Sequence, residues 1–341
     1  MPHSADVADP GGPGGAGASF PVDEIRSAGD AIVRAVGTVV DGKTEAIRTA
    51  LTVMLAEGHL LVEDVPGVGK TVLAKALAAT VGGSVSRIQF TSDMLPSDVT
   101  GVNIYDQASG SFRFAPGPVF ANVVIGDEIN RTSPKTQSAL LEAMAESQVT
   151  VDGVTRPLES PFMIVATQNP IDMEGTYPLP EAQRDRFMAR ITMGYPSLDA
   201  EREMLRSRGV GDPMSALRPI VDVATLAAMI RAVHAVHVAP DVEGYVVDIV
   251  RSTRRHPDLL LGASPRSTLH LAGAARARAA LEGRPFVTPD DVAALAPVVL
   301  AHRLVPVARN LGGGAEDAAR DVVVRIVADT AVPFGAAAVP S

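Results

Sequence analysis

The chain has 341 residues, a hydrophobic share of 46% and a charged share of 20%, which is the balance of a folded globular protein with a sizeable core, in one or two domains. With no cysteine there can be no disulfide, thiolate metal site or cysteine nucleophile, and this absence suits a reducing cytoplasm. A formal net charge of −9 argues against a general affinity for nucleic acid or anionic lipid. No apolar run reaches the roughly 18–20 residues that span a bilayer, and the N-terminal stretch lacks the basic and apolar regions of a signal peptide.

Residues 1–20 are rich in Gly, Pro and Ala and are expected to form a disordered tail. Helical spacing of Ile25, Ala28, Ile32, Val33 and Val36 predicts a helix over 22–40, and a second runs from Thr44 to Ala56. A short apolar strand, 59–62, then delivers the chain to Glu63-Asp64-Val65-Pro66-Gly67-Val68-Gly69-Lys70-Thr71, and a helix-forming run begins at Val72. Strand, glycine loop, lysine, hydroxyl and helix is the order of a phosphate-binding loop. Pro66, Gly67, Val68, Gly69 and Val72 would supply backbone around phosphate oxygens. Lys70 would reach the β- and γ-phosphates, and Thr71 would ligate Mg²⁺. The strict pattern G-x-x-x-x-G-K-[ST] wants glycine where Asp64 stands, and read alone the string also fits a turn without ligand.

A strand follows at 86–90, and alternation at 101–105 and 111–114 predicts a β-hairpin. The apolar strand 121–126 ends in Asp127-Glu128, the second mark of a nucleotide site. Asp127 would hold Mg²⁺, and Glu128 would polarise the attacking water. After a helix over 134–146, a second hairpin turns at Asp152-Gly153. The strand 162–167 then ends near Asn169, placed to orient water at the carboxyl end of a parallel sheet. Beyond Pro196 helical periodicity takes over, at 199–207, 223–235, 241–255, 265–281, 289–302 and 316–329, with Gly312-Gly313-Gly314 as a loop before the last. The expected division is a nucleotide-binding core over 21–196 and a helical domain over 197–335. His234 and His237 have the spacing of a metal pair but no carboxylate-rich string beside them.

In order along the chain, the phosphate-loop string, Gly117-Pro118-Val119-Phe120, Asp127-Glu128-Ile129-Asn130-Arg131, Gln137-Ser138-Ala139-Leu140-Leu141-Glu142-Ala143-Met144, Ala166-Thr167-Gln168-Asn169-Pro170 and Tyr177-Pro178-Leu179-Pro180-Glu181-Ala182-Gln183 resemble the MoxR family of AAA+ ATPases. That family's loop reads E-D-x-P-G-x-G-K-T, which accommodates Asp64. Departures are Gly126, where Ala is usual, and Arg184, where an aliphatic residue is expected. The resemblance implies a parallel αβα core, two inserted hairpins and a C-terminal all-α lid. It makes Lys70 and Thr71 Walker A, Asp127 and Glu128 Walker B, and Asn169 sensor 1. Arg186 would be an arginine finger for the neighbouring subunit, and Arg266 sensor 2, reaching the nucleotide of its own subunit. Arg131 is a further interface candidate.

The resemblance implies ATP and Mg²⁺ as cofactors and a ring, with a hexamer as the expected number. Such a ring would be a chaperone-like motor that remodels or matures partner proteins or complexes, and a von Willebrand factor A-domain protein would be a candidate partner. The alternatives are the motor subunit of a metal chelatase, a DNA-remodelling ATPase, which the acidic balance disfavours, and an assembly scaffold that binds ATP without turning it over. No string of the N-K-x-D type reads guanine.

Overall fold

A computed structural model of the protein describes residues 20–169, 177, 179–207, 213–307 and 314–333. The tail expected at 1–20, apart from Phe20, and the loop at Gly312-Gly313 lie outside these residues.

Two helices lead in, α1 (Val22–Gly37) and α2 (Thr44–Leu55), followed by β1 (Leu60–Glu63), α3 (Lys70–Thr80) and β2 (Val85–Gln89). A short α4 (Pro96–Thr100) precedes the hairpin β3 (Gly101–Asp106) and β4 (Ser111–Pro116). Next come β5 (Val123–Asp127), α5 (Pro134–Glu146), the hairpin β6 (Gln148–Val151) and β7 (Val154–Pro157), and β8 (Met163–Gln168). A single helical turn, α6 (Glu181–Arg184), leads into β9 (Ala189–Ile191). Strands β2, β5, β8, β1 and β9 form one sheet in that order, and every recorded pairing in it is parallel.

A parallel sheet is buried on both faces, so its strands are apolar throughout while alternate residues serve different cores. Leu60, Val62, Val123, Ile125, Met163 and Val165 pack with α1, α2, α3 and the C-terminal helices. Leu61, Val124, Ile164 and Ala166 pack with Phe90, Phe187 and α5 on the opposite face.

The C-terminal part comprises α7 (Leu198–Ser207), α8 (Pro213–Ala216), α9 (Val223–His234), α10 (Pro240–Thr253), α11 (Pro265–Leu281), α12 (Pro289–Leu300) and α13 (Gly314–Asp329). Its helix starts are chemically marked. Asp222 accepts the Thr225 amide at 2.7 Å to cap α9, and Thr288 with Asp291 forms a capping box at α12. To the helices expected from periodicity the structure adds a two-stranded ladder, β10 (Leu259–Leu261) with β11 (Val305–Pro306), too short for alternation to reveal. Helix α11 passes beneath the amino end of the main sheet. A Cβ added at Gly273 would lie 4.0 Å from the side chains of Ala56 and Met188, and the Met188 amide donates to the His59 carbonyl just before β1.

Candidate nucleotide site

β1, β5 and β8 end at one edge of the sheet, and each hands a polar segment to it. That carboxyl edge is where open parallel sheets bind ligands. From β1 the chain enters the loop over 64–69, where Gly67 and Gly69 take φ of +85° and +92°, a region that side chains with a Cβ rarely adopt. The loop then opens directly into α3, whose first amides have no intrahelical acceptor and carry the positive end of the helix dipole.

Lys70 donates to the backbone oxygens of Asp64 at 2.7 Å and Gln168 at 3.0 Å, which parks its ammonium across the loop. Desolvation lowers its pKa, and the negative field of Asp64, Asp127, Glu128 and Glu63 offsets part of that. The Thr71 hydroxyl lies 3.1 and 3.2 Å from the two carboxylate oxygens of Asp127. Asp127 is buried and also accepts from Thr167 Oγ1 at 3.2 Å and from Arg87 Nε at 2.7 Å. Glu128 follows in the left-handed region, at φ 59°, with its amide bonded to Thr167 Oγ1. Its carboxylate accepts from Gln89 and Arg131, each at 3.0 Å. Asn169, half-buried, comes directly after the Gln168 carbonyl that holds Lys70.

The two acidic residues that open the loop have structural work of their own. Glu63 pairs with Arg190 of β9 at 2.9 Å, both nearly buried. Asp64, which stands where the strict pattern has glycine, accepts the amide of Val65 on one oxygen and those of Met193 and Gly194 on the other. This carboxylate ties the loop to the chain leaving the edge strand. At Gly126 an added Cβ would sit 3.0 Å from the ring of the fully buried Phe90, which occupies the space an alanine methyl would need.

The structure brings Lys70, Thr71, Asp127, Glu128 and Asn169 together and leaves Arg186 and Arg266 elsewhere. Ala189 stands opposite Leu60, at the amino end of β1, whereas the phosphate loop follows Glu63, three residues or roughly 10 Å further along. Arg186 precedes Ala189 and lies below that amino edge, where it donates to the Leu141 carbonyl of α5. Arg266, exposed on the first turn of α11, is flanked by Ser264 and Ser267. Both hydroxyls bond Asp185, at 2.9 and 3.5 Å. The family resemblance turns Arg266 toward the nucleotide of its own subunit; in the structure the residues flanking it, Ser264 and Ser267, bond Asp185. The helix carrying it, α11, is thereby tied to the segment that holds Arg186.

Other expectations resolve locally. Arg184 pairs with Glu181 at 3.8 Å, and His234 bonds Glu57 at 2.7 Å rather than His237. Among the described residues no group of three or more His, Asp or Glu side chains is set to hold a metal ion. Sequence reasoning missed Arg87, which donates to the Asp127 carboxylate, Gln89, which donates to that of Glu128, and Thr167, which donates to the Asp127 carboxylate and accepts the Glu128 amide. The signal was present: Arg87 and Gln89 alternate with Ile88 on a strand paired with β5, so both side chains leave the same face.

A parallel sheet with a glycine loop, a Lys-Thr pair, an Asp-Glu strand end and a C-terminal helical bundle defines a P-loop ATPase of the AAA type. Residues 59–189 match the family described as ATPase family associated with various cellular activities (AAA), and residues 251–322 match the AAA lid domain. The chain is 48% identical to the uncharacterised protein YeaC of Bacillus subtilis, covering 85% of this chain and 92% of that one. It is 43% identical to the chaperone MoxR1 of Mycobacterium tuberculosis, over 89% and 81%. It is also similar to the crystal structure of a candidate ATPase from Cytophaga hutchinsonii, with a TM-score of 0.84 and 35% identity over 92% and 97%. The chain belongs to the MoxR family of AAA+ ATPases.

Proposed function

We propose that the chain is an ATP hydrolase whose active site is completed between neighbouring copies of itself. In this reading the copies join head to tail as a cytoplasmic ring, a hexamer, with the core at 21–196 and the lid at 197–335. ATP turnover in the ring remodels or matures a partner protein or complex. A partner with a von Willebrand factor A-domain follows from the family resemblance, and the chaperone name of the Mycobacterium tuberculosis relative supports a remodelling role. The observation that carries the reading is the split just described. The cradle for phosphate and its two carboxylates lie at one edge of the sheet, and the two arginines suited to transition-state charge lie at the other.

The cradle fits a magnesium nucleotide by its chemistry. A hydroxyl and a buried carboxylate already touch, the hard oxygen donors that Mg²⁺ takes, beside free helix-start amides and a lysine. Thr71 and Asp127 would hold Mg²⁺, which when bound neutralises charge on the β- and γ-phosphoryl oxygens. The chain's residues do the rest. Lys70 exchanges its two carbonyl partners for phosphate oxygens. Glu128 leaves Gln89 or Arg131 to accept the proton of the attacking water, which Asn169 orients. Arg186 of one copy, with Arg266 beside it, meets the charge that develops at the next copy's γ-phosphate. An arginine so placed is worth roughly 10³–10⁵ in rate.

The test is steady-state ATPase activity against protein concentration, with Glu128→Gln and Arg186→Ala beside the unmodified protein. Specific activity should rise with concentration, each variant alone should be nearly inactive, and a mixture of the two should regain activity. Concentration-independent turnover with Arg186→Ala near the unmodified level would overturn the shared site.

A further inference from the structure

Arg303 ends a 3₁₀ turn after α12 and is almost completely buried, in a stretch, Ala301-His302-Arg303, that carries no sequence motif. Its guanidinium holds both neighbours of Arg186 in the chain. On one side Nη1 faces the Asp185 carboxylate at 3.5 Å, and on the other Nη2 donates to the Phe187 carbonyl at 2.5 Å. The same group reaches the lid: Nη1 donates to Ser267 Oγ at 2.9 Å, and Nη2 to Nδ1 of His270 on α11. Asp185 closes the loop from its own side by accepting from Ser264 and Ser267. Ser264 stands at the N-cap position of α11, its hydroxyl turned to Asp185, and Arg266 stands two residues beyond it.

A buried cation is costly unless its surroundings are closely fitted, and such clusters specify geometry rather than add stability. Burial lowers the Arg303 pKa to about 10, against the pull of Asp185, so it stays charged at neutral pH. His270 is held neutral, its pKa lowered to about 3 by burial and then by Arg303 and Arg266, and its Nδ1 remains an acceptor for the guanidinium. Lysine has no planar fork and could not face Asp185, Ser267, Phe187 and His270 together.

We propose that Arg303 is a positioning residue for hydrolysis. Clamped on Asp185 and Phe187 and bonded to Ser267 and His270, it locks the finger segment to the first turn of α11, so that Arg186 and Arg266 are presented to the neighbouring subunit as one preset pair of cations. Arg303 touches neither nucleotide nor reacting atoms and acts only through the two arginines. The inference rests on the shared-site reading of the preceding section.

Arg303→Met and the milder Ser267→Ala test it, with kcat, KM for ATP and affinity for a non-hydrolysable ATP analogue measured on the full chain. A misplacement near 1 Å is enough to cost about a hundredfold, so kcat of Arg303→Met should fall roughly ten- to a hundredfold. KM and analogue affinity, set by the same subunit's intact phosphate loop, should change less than about twofold. Ser267→Ala should show the same split at smaller size, which keeps the test open if Arg303→Met fails to fold. The decisive arm is mixing. Arg303→Met or Ser267→Ala combined with Glu128→Gln should regain activity, because each supplies the face that the other lacks, whereas combined with Arg186→Ala neither should. If Arg186→Ala and Glu128→Gln complement each other while Arg303→Met and Ser267→Ala do not complement Glu128→Gln, the positioning role is overturned and the shared site stands. If Arg186→Ala and Glu128→Gln fail to complement, the shared site itself falls, and the positioning role with it.

Discussion

Asp64 is the residue at which a motif and its physical job part company. A strict phosphate-loop pattern marks it as a defect, because glycine there would free the backbone. Its carboxylate instead accepts three amides, from Val65, Met193 and Gly194, and joins the start of the loop to the chain leaving β9. Hydrogen bonds to a charged acceptor contribute more than neutral ones, and their loss would leave those amides to find water. Asp64→Gly, which restores the strict pattern, should therefore lower stability by about 2 kcal/mol and weaken ATP binding rather than improve it. Thermal unfolding and nucleotide titration of the variant check this. A variant as stable as the parent with tighter nucleotide binding would show that the carboxylate is dispensable.

At the scale of elements, His59 shows how strand and helix are joined below the sheet. Its ring lies between the last turn of α5 and the start of β8, with Nε2 at 3.1 Å from the Met144 carbonyl and Nδ1 accepting the Ile164 amide at 3.1 Å. Both contacts are satisfied by the neutral ring with its proton on Nε2. Burial lowers the pKa from 6.5 to about 4, with the Met144 bond pulling weakly the other way. Between those values the unfolded chain binds a proton that the folded chain refuses, so this stability is present above 6.5 and is lost as pH falls toward 4. At 1.36 kcal/mol per unit the loss is about 3 kcal/mol. Burial also lowers the pKa values of His270 and His302, which adds to the slope in the same direction. Urea midpoints should fall steadily from pH 7 to pH 4, and less steeply in His59→Gln; an unchanged slope would assign the effect to other groups. His59 was legible in the sequence only as a residue at the start of a strand, because its partners lie 85 and 105 positions away. The same limit runs through the fold. Local pattern gave the longer helices, both hairpins and the loop-to-helix junction, placed at Val72 where the helix begins two residues earlier at Lys70, since periodicity and turn chemistry are written in neighbouring residues. It missed α4, α6 and α8, which are one turn or little more, and the β10–β11 ladder. It missed Arg303 for the reason it missed His59: the cluster joins 185–188, 264–270 and 302–303, and nothing in any one of those strings names the others.

For the whole molecule, the proposed ring raises the question of what would draw like-charged copies together. Each copy carries a formal net charge of −9, so attraction between copies has to be local. The carboxyl edge of the sheet gathers Glu63, Asp64, Asp127 and Glu128, while the opposite edge carries Arg186, the exposed Arg266 and, across the groove beside Asp185, Arg254. Two different patches of opposite sign on one chain favour a head-to-tail contact, which closes into a ring if the rotation between copies allows. The members of these patches that reach the surface, the part-exposed Asp64 and Glu128 and the exposed Arg254 and Arg266, are screened over about 8 Å at physiological ionic strength, so the contact should weaken as salt is added. Raising salt from about 50 to about 500 mM should shift the protein concentration for half-maximal ATPase activity upward by roughly tenfold, while activity at saturating protein changes little. Arg266→Ala, which removes one exposed cation from that edge, should assemble more weakly at low salt and respond less to added salt. If half-maximal activity instead moved to lower protein concentration as salt rose, apolar surface would be driving assembly, and the exposed Leu260 and Leu261 beside the same groove would be the residues to change next.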